Sequence, residues 1–210
     1  MAESLKDATS KPLLVVMAAN VAVFYAAVQT GALFSGDWLA LLRNWAEALP
    51  GGLGIVLTGI VNAQLTSEAK ARLVFWRWRD PLPGCEAFSR HAGSDSRIDL
   101  TAIERAHGPL PTDPKQQNAL WYRLYRLVGG EPAVTQVHRS FLFARDYTCI
   151  SALILIVLGP IGLFEIPSLR TALIYIAMLG TQYIVARQAA RNHGCRFVTT
   201  VLALSGARAA

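Results

Sequence analysis

Residues 147–186 read YTCISALILIVLGPIGLFEIPSLRTALIYIAMLGTQYIVA, and Glu165 and Arg170 are the only charged residues among them. Pro167 divides the stretch into two apolar runs, 147–166 and 168–186. As helix at about 1.5 Å per residue, each reaches roughly the 30 Å of a bilayer's hydrocarbon core. Two spans joined so tightly make a helical hairpin. A second pair lies upstream. Residues 12–34 (PLLVVMAANVAVFYAAVQTGALF) carry no charge and give about 35 Å of helix. Residues 50–66 (PGGLGIVLTGIVNAQLT) give about 25 Å, so that span borrows flanking residues or thins the membrane.

Composition agrees: mean hydropathy is +0.34, with 53% hydrophobic and 16% charged residues, too apolar for an average soluble domain. Sidedness follows from the basic residues. The segment 67–146 holds twelve Lys and Arg, the N-terminal tail has Lys6 and Lys11, and the C-terminal tail has Arg187, Arg191, Arg196 and Arg208. The 35–49 loop has only Arg43 and the 167–170 turn only Arg170. The positive-inside rule then places both termini and the middle segment in the cytosol of a plasma (bacterial inner) membrane.

The sequence therefore predicts an all-α polytopic membrane protein with four transmembrane helices as two hairpins and a helical cytosolic module inserted between spans 2 and 3. Residues 1–66 form the N-terminal tail and first hairpin, 67–146 the module, 147–186 the second hairpin and 187–210 a basic cytosolic tail. In the outer loop 37–49, Trp38, Leu41, Leu42, Trp45 and Leu49 recur at helical spacing behind Asp37, the pattern of a short interfacial helix.

Within the module, span two's helix is expected to continue to Arg79, where Asp80-Pro81-Leu82-Pro83-Gly84 stops it. The polar stretch 85–98 reads as loop or mobile linker. A short helix follows with Thr101 and Glu104 at capping-box spacing. In PTDPKQQNALWYRLYRLVGG (111–130), Asp113 can cap, Pro114 suits the first helical position and Gly129-Gly130 end the run. Leu120, Leu124, Leu127 and Val128 form one apolar stripe, Trp121 with Tyr125 a second, while Arg123 and Arg126 face away. Residues 132–158 should form one rod into span three, kinked at Gly159-Pro160.

LVFWRWR (73–79) interleaves aromatics with arginines. Such mixtures suit a packed seam, a headgroup layer or stacked nucleic acid. If span two runs on as helix, Phe75 lies about 13 Å beyond Thr66, too far for an ordinary interfacial belt. The favoured reading is a seam in which Leu73, Phe75 and Trp76 pack against the Leu120–Val128 helix. Phe75, Trp76, Trp78, Trp121, Tyr125, Arg123 and Arg126 are the candidate coupling and partner surface. Twelve basic residues against nine acids in 67–146 make a weak footprint for nucleic acid.

Catalytic and cofactor motifs are absent: no GxGxxG, GxxxxGK[ST], GxSxG or HExxH occurs, and three scattered cysteines offer neither a disulfide framework nor zinc spacing. No catalytic, cofactor or metal residue is assigned. Arg187 and His193 in RQAARNH are spaced in a way that resembles the Arg-to-His motif of HEPN ribonucleases, which would imply a membrane-anchored nuclease as the alternative. A passive channel or carrier is a further alternative. No span carries an Asp, Glu, Lys, Arg or His near its middle, which argues against ion-coupled transport. Asn20, Gly54, Thr58, Asn62, Thr181 and Gln182 are the candidate packing residues within and between chains. Small and amide side chains let helices approach and bond, and they point to a homo-oligomer in the bilayer.

The layout of two hairpins flanking an inward module resembles the small four-span effectors of bacterial defence operons. That resemblance implies a non-enzymatic membrane effector or scaffold whose module senses a protein or nucleotide cue, with a cytosolic protein partner.

Overall fold

The structure is a computed structural model that describes residues 7–209 except 38 and 40–42, with side chains described from residue 11. The described residues are all-helical, without a strand. Its helices are α1 (Asp7–Val28), α2 (Thr30–Ser35), α3 (Leu49–Gln64), α4 (Ser67–Phe75), α5 (Leu100–His107), α6 (Pro114–Val128), α7 (Pro132–Glu165) and α8 (Leu169–Ala209). Segments Lys11–Val28, Trp45–Gln64, Pro132–Glu165 and Leu169–Ala209 are long and apolar enough to cross a membrane.

The chain forms two compact units. One comprises residues up to Leu65 with Asp146–Ala186, the other Thr66–Arg145 with the residues from Arg187 on. In the first unit each of the four long helices touches two others. A Cβ on Gly51 of α3 would overlap the ring of Phe24 on α1. Phe24 is fully buried and meets Tyr175 of α8 edge-on at 6.0 Å. One on Gly54 of α3 would sit 2.6 Å from Leu158 of α7, and one on Gly162 of α7 would sit 3.0 Å from Tyr175. Small residues thus let the backbones close up where lipid gives no hydrophobic drive.

The run expected as one span over 12–34 is broken at Gln29, which has φ −89° and ψ 24°. Its amide donates to the Glu47 carboxylate at 2.5 Å, and the Thr30 hydroxyl donates to Ala27 O at 2.5 Å, competing with the helix for that carbonyl. Of the expected interfacial helix, Trp38, Leu41 and Leu42 lie outside the described residues. Trp45–Ala48 is a 3₁₀ turn leading into α3, and Trp45 is exposed.

The second unit packs around α6. Asp113 accepts from Gln116 N at 3.0 Å and Pro114 opens the helix, as the sequence predicts. Leu120, Trp121, Leu124 and Val128 join Ile103, Val134, Phe141, Phe197, Val198, Val201 and Leu202 in one core. The last four come from α8. Residues 187–209, expected as a tail, continue α8 as helix and belong to this unit. Leu127, expected in the buried stripe, is 61% exposed instead.

Three further expectations fail for local reasons. The rod out of span two breaks at Leu65 and Thr66, both extended, because the Thr66 hydroxyl accepts from Ala69 N and caps α4 as a new helix. The 85–98 linker is wound into tight helical turns over Pro83–Ser94. Gln117, 1% exposed, holds it to α6: its Oε1 accepts from Phe88 N and Ser89 N, both at 3.1 Å, and its Nε2 donates to Thr112 O at 3.0 Å. α5 is capped two residues earlier than expected, by Asp99 accepting from Ala102 N at 2.9 Å. α7 runs through Pro160 to Glu165 as helix.

Candidate functional site

The residues that the sequence singled out fall in three places. Trp121 and Tyr125 stack at 5.9 Å, and both meet Phe197 of α8 edge-on, at 5.1 and 5.5 Å. His138 of α7 lies flat on Phe197 at 4.5 Å, its Nδ1 3.3 Å from the Tyr125 hydroxyl. Burial, helped by Arg145, holds the His138 pKa below the ordinary histidine value, so the ring is neutral at pH 7. This aromatic knot ties α6, α7 and α8. Phe75 reaches the same core, 6.5 Å from Phe141, and Gly194 makes room for both rings.

Trp76 and Trp78 do something else. α4 stops at Phe75, and Trp76 takes the left-handed conformation (φ 54°, ψ 38°), where a bulky side chain costs about 1–3 kcal/mol. Its N–H closes the helix on Arg72 O at 2.9 Å. Its ring is covered by Arg187, whose guanidinium carbon lies 3.5 Å from the ring centroid, close enough for a cation–π contact worth about 1–2 kcal/mol. Thus Trp76, expected against α6, lies 57% exposed beneath an arginine from α8, and Trp78 is 84% exposed. Arg123 and Arg126 face solvent together with Tyr122 and Leu127. The stacking partner Arg187 is the residue that the aromatic–basic reading missed, because nothing local links positions 76 and 187.

Arg187 and His193 share α8 but stand six residues apart, so their side chains diverge by roughly 120° around the helix. Arg187 lies on an indole. His193 has its pKa lowered by burial and then by Arg196. Among the described residues no three His, Cys, Asp or Glu side chains converge as metal ligands.

The membrane candidates divide between self-satisfied and cross-helix groups. Asn20 donates to Val16 O, Thr58 to Gly54 O and Thr181 to Ala177 O, each at 2.9 Å on its own helix. Gln182 of α8 donates to the Tyr147 hydroxyl of α7 at 3.3 Å. Asn62 Oδ1 is buried with no hydrogen-bond partner among the described residues. The Gly54–Thr58 face is spent against α7, whereas Ala177 and Thr181 face outward.

No family model, curated protein or solved structure matches this chain.

Proposed function

We propose that the protein is a non-enzymatic effector or scaffold of a bacterial inner membrane. In this reading the four long helices form two transmembrane hairpins. The unit built on α6 is a cytosolic module with both termini on its side, and movement of the module is passed to the spans. The observation that carries the reading is continuity of helix. α7 passes from the module's residues to the apolar unit at Arg145–Asp146 without leaving helix, and α8 does so at Ala186–Arg187. The aromatic knot grips both helices just outside those crossings. A rigid element biased at one end transmits that bias to the other. The outward Ala177 and Thr181 favour close packing against a second copy, and the exposed Tyr122, Arg123, Arg126 and Leu127 offer a face to a protein partner.

The test is insertion of Gly-Gly after Arg145, which deletes no side chain but lets α7 swivel. Produced in bacteria, the full chain should depolarise the membrane, read by a potential-sensitive dye, and the inserted chain should not. An insertion that depolarises as well as the parent refutes coupling, and a parent that never depolarises refutes the effector reading. In a cysteine-free background, a cysteine at Gly93 should resist an impermeant thiol reagent in intact cells while one at Ala46 reacts. The reverse pattern would overturn the orientation.

A further inference from the structure

Beside the knot, the loop that ends α4 encloses a cleft of about 460 Å³ between α4 and the start of α6. Three cations line it: Arg72, Arg79 and Lys115. Arg72 leans toward Glu68 of its own helix at 3.7 Å. Among the described residues the side chains of Arg79 and Lys115 have neither an ion pair nor a hydrogen bond. The cleft's other carboxylate, Asp80, sits in the left-handed region (φ 45°) and pairs with neither. Trp78 also lines the cleft and is 84% exposed, an indole with an apolar body and a polar N–H.

We propose that this cleft is a phosphate site filled by the headgroup of an anionic phospholipid, with Trp78 inserted beside it among the glycerol esters. Two cations without partners supply charge-assisted donors to a phosphodiester. An amphipathic indole beside them is what a headgroup layer selects and what an aqueous phosphate does not. Arg72 is released to the phosphate at the expense of a 3.7 Å surface pair that contributes little. Occupancy is favoured by tethering. Gln64 ends a helix long and apolar enough to cross a membrane, and Trp78 follows only fourteen residues later, so headgroups are present at high effective concentration. The proposal depends on the membrane reading but not on which side of the membrane the unit faces.

The experiment uses the full chain in a neutral detergent, titrated with short-chain phosphatidylglycerol, short-chain phosphatidylcholine and glycerol phosphate, with binding read by native mass spectrometry and tryptophan emission. Phosphatidylglycerol should bind, and Arg79→Gln or Lys115→Gln should each weaken it about tenfold. Asp80→Asn should tighten it, since it removes a repelling carboxylate. Trp78→Phe should abolish the emission change while leaving the binding stoichiometry intact. Both cations are exposed, so the variants should melt with the parent, and Arg79→Lys should retain most of the affinity. Equal binding of phosphatidylcholine, or unchanged affinity in both cation variants, overturns the site. Glycerol phosphate binding as tightly as the lipid overturns the headgroup assignment in favour of a soluble phosphate. Phosphatidylcholine binding more tightly than phosphatidylglycerol, and weakened by Asp80→Asn, shows that the carboxylate holds a headgroup ammonium, and the anionic assignment is then wrong.

Discussion

Replacing Trp121 by alanine tests whether α6 is the centre of its unit. The indole is 7% exposed, stacked on Tyr125, edge-on to Phe197 and pressed against the turn at Gly84. Truncating a ring so enclosed costs about 3–5 kcal/mol, the aromatic pairs included. For a chain of this length each kcal/mol lowers Tm by about 2–4 °C, so Trp121→Ala should melt roughly 6–20 °C below the parent. Near-ultraviolet circular dichroism in detergent is the assay, with insertion into membranes unchanged. Trp121→Phe makes the argument sharper. The indole Nε1 is buried with no hydrogen-bond partner among the described residues, so phenylalanine forfeits ring area but no bond and should cost under about 2 kcal/mol. A loss below about 1 kcal/mol in the alanine variant would show that the ring is not core. Equal losses in the two variants would show that the N–H makes a bond.

Gly84→Ala should destabilise the same unit by about 1–3 kcal/mol, because the new methyl would stand 2.5 Å from Asn118 Oδ1 and 2.8 Å from the Trp121 ring; Gly93→Ala, with nothing within 4 Å, should melt with the parent. Gln117→Leu leaves the N–H groups of Phe88 and Ser89 without their acceptor, at about 1–3 kcal/mol, and hydrogen exchange should lose protection at 88 and 89 before the rest of the unit responds. Acid should also destabilise the unit. Burial lowers the pKa of His91, His138 and His193, so the unfolded chain takes up protons first. Stability is then flat above about pH 7 and falls as pH drops below the unfolded value near 6.5, with His138→Phe flattening part of that slope. A Tm that rises between pH 7 and pH 5.5 would contradict the burial of these rings.

What was legible in the sequence is what short-range chemistry decides. The apolar runs are set by length and lack of charge, and α6 by Asp113, Pro114 and Gly129 at its ends. What was not legible depends on distant partners. The stretch 85–94 looks like linker because its polar residues dominate, yet Gln117 binds its backbone and Cys85, Ala87 and Ala92 are buried. The C-terminal segment looks like a basic tail because its arginines draw the eye. Phe197, Val198, Val201 and Leu202 nevertheless carry a helical stripe that could have been read as core. The seam expected for Trp76 presupposes a straight helix beyond Thr66. Once Thr66 caps a new helix, that distance argument lapses.

The break at Leu65–Thr66 also makes the three crossings between the units unequal, which allows a contrast within one chain. At that crossing the backbone is extended for two residues and α4 is started afresh by the Thr66 cap, so the connection is already a joint. At Arg145–Asp146 and Ala186–Arg187 it is uninterrupted helix. Gly-Gly inserted after Leu65 lengthens a joint, leaves the Thr66 cap and the Trp76–Arg187 stack in place, and should leave coupling near the parent level. The same insertion after Ala186 cuts α8 immediately before the arginine that covers Trp76. It should uncouple the units as thoroughly as the insertion after Arg145. In the depolarisation assay the expected order is therefore parent and Leu65 insertion together, and both helix insertions far below. If all three insertions behave alike, helix continuity is not the carrier, and the module would act by occupancy and not by leverage.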